Sequence, residues 1–279
     1  MVLKSLISVM IIGLVFCSCD EPYILDSNQG GTHVIIEGQV TNVPGRQYVK
    51  ISRSSGFYDT GNSPRITDAT VIVSDDGGMQ YTFIHNPREH ADSAGYYLPV
   101  PNFTGEIGKT YSLSATIGGE LYEAEDRLFN VTDIDSLSYR IDEDEREDPE
   151  DFGKFYEVLI YAKEPQNTTD YYLFKFYRND SLKVEDENQI YFADDETLGE
   201  NIDGISSPIF FAPGDRARIE IYSLSRSGFV FYSDLQSLLN SDGGLFSQPP
   251  SNSRNNITNG ALGFFQASAL RSKEIEIKE

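Results

Sequence analysis

The chain has 279 residues, of which 39% are hydrophobic, and this apolar content is sufficient for one large or two modest folded domains. Its 44 acidic and 22 basic residues give a formal net charge of -22, which repels phosphate backbones and argues against nucleic-acid binding. The two cysteines, Cys17 and Cys19, lie near the N-terminus, so the rest of the chain has no thiol for a disulfide or a thiolate metal site.

Residues 1–18 have the pattern of a secretory signal peptide. A basic residue, Lys4, precedes an apolar run over 6–16, and the small residue Ser18 comes directly before Cys19. The apolar run is too short for a transmembrane helix, which needs about 20 apolar residues. The pattern resembles a bacterial lipoprotein box, and this resemblance implies cleavage after Ser18 and acylation of Cys19, with palmitate as the typical acyl chain.

The residues after the acylated cysteine are expected to form a flexible tether over 19–32, because they are polar and contain two adjacent glycines. Asp20 and Glu21 resemble the acidic export signal that sends Bacteroidetes lipoproteins to the cell surface. We therefore expect an outer-membrane protein that is held by its lipid anchor and faces the cell surface.

Residues 33–129 are predicted to form an immunoglobulin-like β-sandwich, because seven short strand-like segments alternate with turn residues. The segments are 34–40, 48–52, 70–74, 80–84, 96–100, 110–115 and 122–124. The sequences at 68–73, 95–97 and 108–113 resemble the carboxypeptidase-regulatory-like sandwich of exported Bacteroidetes proteins. In that family these residues shape the fold and are not catalytic.

Residues 130–279 are predicted to form a second, β-rich domain with one amphipathic helix near 226–240. Apolar residues from Phe229 to Leu239 fall on one helix face, and either Ser225 or Ser227 could be the N-cap. The acidic run 142–151 is too polar to pack and is predicted to be a loop or a domain edge. Strands are expected at 155–161, 171–177, 188–192, 217–222 and 274–277.

Few motifs in the sequence point to catalysis or to a cofactor. The three histidines have no metal-binding spacing, and neither a nucleophile elbow nor a phosphate loop occurs. We therefore predict a protein without enzymatic activity. The best calcium candidate is the carboxylate cluster Asp194, Asp195, Glu196 and Asp203, and a solvated acidic loop is the favoured alternative.

Two further sets of residues are candidates for surface interactions. Phe210 and Phe211 lie in a loop bounded by proline and glycine, where strand packing explains them least, and they are candidates for a ligand or partner surface. Ser93, Ser136 and Ser181 each follow an aspartate in a triplet that resembles the O-glycosylation acceptor of Bacteroidetes.

Several of these segments together resemble the Bacteroidetes DUF4249 lipoproteins. The resemblance rests on the lipoprotein box, on 34–38, 69–71 and 95–97, and above all on the late Gly-Ala-Leu-Gly-Phe-Phe segment at 260–265. Such lipoproteins are typically encoded beside TonB-dependent transporters, which implies an accessory or solute-capturing role at the outer membrane. A structural or adhesive surface protein is the main alternative, and a carboxylate-dependent hydrolase is the third.

Overall fold

β-strands make up most of the regular structure in the computed structural model, which describes residues 32–55, 63–149, 151–163, 168–186, 188–199, 201–241 and 252–279. The strands of the first half are β1 (Val34–Thr41), β2 (Tyr48–Arg53), β3 (Thr70–Asp75), β4 (Gln80–His85), β5 (Tyr96–Pro99), β6 (Thr110–Ile117), β7 (Glu120–Arg127) and β8 (Ile134–Ile141). The later strands are β9 (Tyr156–Lys163), β10 (Tyr171–Arg178), β11 (Ser181–Lys183), β12 (Tyr191–Asp194), β13 (Asn201–Ser206), β14 (Arg216–Leu224), β15 (Leu262–Ser268) and β16 (Leu270–Glu276). The predicted mainly β fold is confirmed.

The largest sheet has eight strands in the order β15-β1-β2-β5-β4-β3-β6-β7. Its two ends approach each other, because the Ala267 N–H in β15 donates to Asp126 Oδ2 in β7 at 2.8 Å. The Asn256 side-chain amide donates to the carbonyls of Glu125 and Phe265 and so bridges the same two strands. The sheet is therefore rolled around an apolar interior, and the layers of the predicted sandwich are opposite sides of this one rolled sheet.

Strands β8 to β14, together with β16, form two smaller sheets. One has the order β11-β10-β14-β16, with β12 also paired to β10, and the other has the order β13-β9-β8. Strand β14 has the predicted alternation, with Ala217, Ile219 and Ile221 facing the core. The opposite face of β14 carries Glu220 and Tyr222 and is also buried, because a helix and the rolled sheet cover it.

The chain crosses from the rolled sheet to the second sheet at a single residue, Ala269. Strand β15 ends at Ser268 in the rolled sheet, and β16 begins at Leu270 beside β14. Ser223 holds this crossing, because its Oγ accepts from the Ala269 N–H at 2.9 Å and its N–H donates to the Ala269 carbonyl at 3.0 Å.

The boundary predicted between 33–129 and 130–279 does not separate two structural units. Strand β15 belongs to the sheet of the first half, in which it pairs in parallel with β1. One buried apolar cluster contains Ile36 and Leu113 from the rolled sheet together with Ile160 and Ile219 from the smaller sheets. The physical reason is that Phe265 and Ala267 complete the interior of the rolled sheet.

Three helices occur in the part of the chain that the structure describes: α1 (Glu143–Glu147), α2 (Asp195–Leu198) and α3 (Arg226–Leu239). The predicted amphipathic helix is confirmed as α3, and its N-cap is Ser225, whose Oγ accepts from the Gly228 N–H at 3.1 Å. The acidic run predicted as a loop contains α1, because Asp142 caps it by accepting from the Glu145 N–H. None of the residues of α1 is buried, so this helix does not pack on the core.

Candidate functional site

A cavity of about 260 Å³ lies where the rolled sheet, strand β10 and helix α3 meet. Its walls contain both apolar rings and polar groups, which is the usual composition of a small-molecule site. The lining residues are Ile35, Glu37, Gly38, Gln39, Tyr48, Lys175, Phe231, Tyr232, Leu235, Gly263, Phe264 and Gln266.

The alternation of strand β1 produces the base of this cavity. Ile36 and Val40 face the interior of the rolled sheet, so that Ile35, Glu37 and Gln39 face the opposite side. In the parallel register with β15, Glu37 lies beside Phe264, and Gln39 lies beside Gln266. In the antiparallel register with β2, Gln39 lies opposite Tyr48. The base is therefore a polar patch next to an aromatic ring.

Helix α3 covers this base with its aromatic side. The ring of Phe231 stacks on the ring of Phe264, with centroids 5.0 Å apart and an interplanar angle of 29°. The Tyr232 hydroxyl donates to Gln266 Oε1 at 2.9 Å. Because burial raises the pKa of Tyr232, this hydroxyl remains a donor at neutral pH.

Lys175 provides the cationic wall, and it forms no hydrogen bond or ion pair with the residues that the structure describes. Its Nζ lies 4.8 Å from the centroid of the Tyr222 ring. Burial lowers the pKa of Lys175, and the negative charges of Glu220 and Glu37 partly oppose this effect. The ammonium group therefore lies beside the cavity without a carboxylate of its own.

Glu220 is opposite Lys175 in the β10–β14 register, but other groups occupy its oxygens. The guanidinium groups of Arg46 and Arg218 lie 2.6 and 2.5 Å from Glu220 Oε1. The hydroxyls of Tyr222 and Tyr177 donate to Oε2 at 2.7 and 3.1 Å. The Glu220 side chain is fully buried, and these four donors satisfy it.

The second notable polar group of the cavity is the side-chain amide of Gln266. Only 5% of Gln266 is exposed, and its Oε1 accepts from Tyr232. Its Nε2 is buried and has no acceptor among the described residues. A buried donor without a partner costs about 1–3 kcal/mol, so such groups in native proteins require an explanation.

Among the described residues that line this cavity, Glu37 is the one carboxylate, and its oxygens already have partners. Glu37 Oε1 accepts from the Tyr48 hydroxyl at 2.6 Å, and Oε2 lies 3.2 Å from Lys50 Nζ. The cavity therefore presents an unpaired cation and an unpaired amide donor next to apolar walls. This arrangement can bind a small solute that carries an acceptor or an anionic group.

Two other cavities lie in the second half of the chain. One, of about 250 Å³, lies between β9 and β13 on one side and β10 and β12 on the other, and the described residues that line it are uncharged. The other, of about 210 Å³, is lined by Phe210, Arg178 and Asp151. Arg178 and Asp151 pair with each other at 3.2 Å, and the other charged lining residues, Glu145 and Glu185, are acidic, so the described lining of this cavity offers no free cation.

The prediction that Phe210 and Phe211 form a ligand or partner surface is wrong for Phe211. Phe211 has no exposed area, because its backbone exchanges two hydrogen bonds with Tyr156 and its ring enters the core. Phe210 is partly exposed beside the third cavity. The two rings therefore do not form one surface.

The calcium candidates are not brought together as a metal site. Asp194 caps α2 by accepting from the Thr197 N–H, and Asp195 Oδ2 accepts from the Asp170 N–H at 3.3 Å. No group of three or more His, Cys, Asp or Glu side chains in the described ranges could hold a metal ion, so Glu196 and Asp203 complete no such group.

The remaining predicted sites lie at the surface or outside the described residues. Ser136 and Ser181 are exposed, and Ser93 is partly exposed in a short 3-10 turn. The lipidation site Cys19 and the export residues Asp20 and Glu21 lie outside the described residues.

Sequence reasoning did not find the cavity residues Lys175, Gln266 and Tyr232. One signal was present, because Lys175 is the one charged residue between Tyr171 and Tyr177 in an otherwise apolar, aromatic strand. A charge in the middle of such a strand indicates a polar partner or a ligand.

None of the helices in the described part of the chain is long and apolar enough to cross a membrane. No curated protein matches this sequence. A family model described as "Domain of unknown function (DUF4249)" matches residues 20–274. Because this match covers most of the chain, and because it includes the strands that form the rolled sheet and the cavity, the protein belongs to the DUF4249 family.

Proposed function

We propose that this protein is a noncatalytic, solute-capturing lipoprotein that serves as an accessory of a TonB-dependent transporter. The observation that supports capture is the cavity between β1, β15, β10 and α3, with its unpaired Lys175 and Gln266 groups. Fixed polar groups between apolar walls are typical of sites that bind a small molecule.

The proposed location follows from the N-terminal sequence. Acyl chains on Cys19 would anchor the protein stably, since each buried CH₂ contributes about 0.8 kcal/mol and two or more chains suffice. Asp20 and Glu21 favour the cell-surface side of the outer membrane. A receptor held there by a tether could deliver its solute to a neighbouring transporter.

The polar groups of the cavity support the noncatalytic part of this proposal. Glu37 is the one carboxylate among its described lining residues, whereas glycoside hydrolysis requires a pair of carboxyl groups across a cleft. Both oxygens of Glu37 are already engaged by Tyr48 and Lys50.

The location is tested with full-length wild-type protein and the Cys19→Ser variant, each expressed in its native host and extracted in mild detergent. We expect the wild type to incorporate labelled palmitate, to fractionate with the outer membrane and to copurify with a stoichiometric outer-membrane barrel. The Cys19→Ser variant should lose the label and the membrane association. Recovery of the wild type as a lone monomer would contradict the transporter partnership.

Capture is tested by native mass spectrometry of the same wild-type preparation and of Ile35→Trp, whose indole would fill the cavity. The wild type should release a bound small molecule that Ile35→Trp lacks. The matched control is Ile84→Trp, which changes an isoleucine that is 46% exposed and outside the cavity lining. Equal retention of the solute by Ile35→Trp and the wild type would contradict capture at this cavity.

A further inference from the structure

We propose that the solute held in this cavity is a small organic monocarboxylate, whose carboxylate group contacts Lys175 and Gln266 and whose apolar part contacts the rings of Phe231 and Phe264. This inference rests on the proposed function, since it names the class of solute that the same cavity captures.

The charges around Lys175 support an anionic ligand. The charged groups that face it are Glu220, Glu37 and Arg46. Glu220 shares its single negative charge between Arg46 and Arg218, and Glu37 pairs with Lys50. The carboxylates of Glu220 and Glu37 are therefore held by other cations, and Lys175 has no carboxylate of its own. A carboxylate is the partner that a lysine ammonium group in such a position lacks.

Gln266 supports the same ligand from the opposite sheet. Its Oε1 is fixed by the Tyr232 hydroxyl, and this bond orients the amide so that Nε2 is left as a buried donor. A carboxylate oxygen would accept from Nε2 while the other oxygen faces the lysine. One ligand group would then satisfy both of the unpaired donors that line the cavity.

The size and the apolar walls restrict the rest of the ligand. The cavity volume of about 260 Å³ is close to the lower end of the range for small-molecule sites, which is roughly 300–1,000 Å³. Leu235, Phe231 and Phe264 would contact a short alkyl or aryl group. A phosphate dianion fits less well, because it has more acceptor oxygens than these two donors can satisfy and the acidic chain repels it more strongly.

The test is isothermal titration calorimetry on the full-length lipoprotein in detergent, with isovalerate and phenylacetate as the anionic compounds. Their amides, isovaleramide and phenylacetamide, have nearly the same shape without the charge. We expect at least one carboxylate to bind at least 10-fold more tightly than its amide. Lys175→Met should weaken carboxylate binding at least 10-fold.

The matched control is Lys278→Met, which removes the same charge from a side chain that is 71% exposed and outside the cavity, and it should leave binding unchanged. A melting temperature of Lys175→Met that is no lower than that of the wild type shows that the variant folds. If that variant is unstable, Gln266→Glu, which places a like charge beside the ligand, should weaken carboxylate binding to a similar extent.

The outcomes separate this inference from the proposed function. Equal binding of amides and carboxylates, or undiminished carboxylate binding by both Lys175→Met and Gln266→Glu, overturns the carboxylate inference and leaves solute capture intact. Failure of every carboxylate to bind the wild type also overturns the inference. Solute capture itself is overturned only if the wild type releases no small molecule that Ile35→Trp lacks.

Discussion

Asp126 links the rolled sheet to the helix that covers the cavity. Its carboxylate accepts from the Ala267 N–H of β15 and is also hydrogen-bonded by the side chain of Ser225, the N-cap of α3. Only 5% of Asp126 is exposed, and burial raises its pKa from the usual 3.8 to about 6, although these hydrogen bonds oppose the shift. The folded protein therefore holds a proton at Asp126 over a pH range in which the unfolded chain has released it.

The stability should consequently depend on pH between about 4 and 6. In this window the folded state binds more protons at Asp126 than the unfolded state does, so this residue lowers the free energy of unfolding as the pH rises. Raising the pKa from 3.8 to about 6 corresponds to about 3 kcal/mol of stability, which is present below the unfolded-state pKa and fully lost above the folded-state pKa. In Asp126→Asn the side-chain oxygen can still accept from the Ala267 N–H, but the pH-dependent part of the stability that comes from residue 126 should disappear.

Urea unfolding of wild type and Asp126→Asn at intervals from pH 4 to pH 8 measures this difference. Relative to the wild type, the free energy of unfolding of the variant should rise by about 3 kcal/mol between pH 4 and pH 7. Asp68→Asn, at an exposed position, serves as the control and should give a curve parallel to that of the wild type. If the curve of Asp126→Asn were also parallel to that of the wild type, this result would contradict a raised pKa of the buried Asp126.

At the scale of elements, the pairing of β1 with β15 brings together two of the sequence segments on which the resemblance to the family rests, 34–38 and 260–265. Gly38 lies beside Phe265 in the parallel register, and a Cβ at Gly38 would come within 2.6 Å of the Phe265 ring. Gly263 has a φ of +102°, and a Cβ there would lie 2.1 Å from the Ile36 carbonyl oxygen. Strands β1 and β15 therefore approach each other so closely that a side chain at Gly38 or Gly263 would clash.

Gly263→Ala should destabilise the protein more than Gly260→Ala does. Both glycines have positive φ, so each substitution introduces backbone strain of about 1–2 kcal/mol. Gly260 has open space around it, whereas Gly263 faces the backbone of β1, which adds an overpacking cost of about 1–3 kcal/mol. Urea unfolding should show this difference, and equal losses for the two variants would argue against close β1–β15 contact.

Most strands with alternating or strongly apolar sequence could be predicted, including β3, β6 and β14, because each has one face in the core. Strands β8 and β13 were missed because they are largely polar or partly exposed: β8 has only Ile134 buried, and β13 contains Asp203 and Gly204. The cavity could not be predicted, since Lys175 and Gln266 are distant in sequence and line the same cavity because α3 packs on both β10 and β15.

At the scale of the whole molecule, one apolar core joins the three sheets. Leu113 of the rolled sheet and Ile219 of the second sheet belong to the same buried cluster, and the chain passes between the two sheets at Ala269. Such a core favours one cooperative unfolding transition in place of two independent ones.

A core substitution in the first half should therefore destabilise the second half equally. Leu113→Ala, at a position that is 1% exposed, should lower the free energy of unfolding by about 2–5 kcal/mol. Native-state hydrogen exchange should show the same loss for the most protected amides of β6 and of β14. Leu182→Ala, at a position that is 54% exposed, is the control and should change neither strand. Unchanged protection of β14 in Leu113→Ala would indicate two separate folding units.

The parallel pairing of Ile36 with Gly263 also sets the order of events during synthesis. Strand β1 leaves the ribosome before β15, with a delay on the order of ten seconds or more at ordinary translation rates. Throughout this interval one edge of β1 has unpaired N–H and C=O groups that other chains could bind. The nascent protein therefore needs protection of that edge, by a chaperone or by being kept unfolded, until β15 is synthesised and pairs with β1.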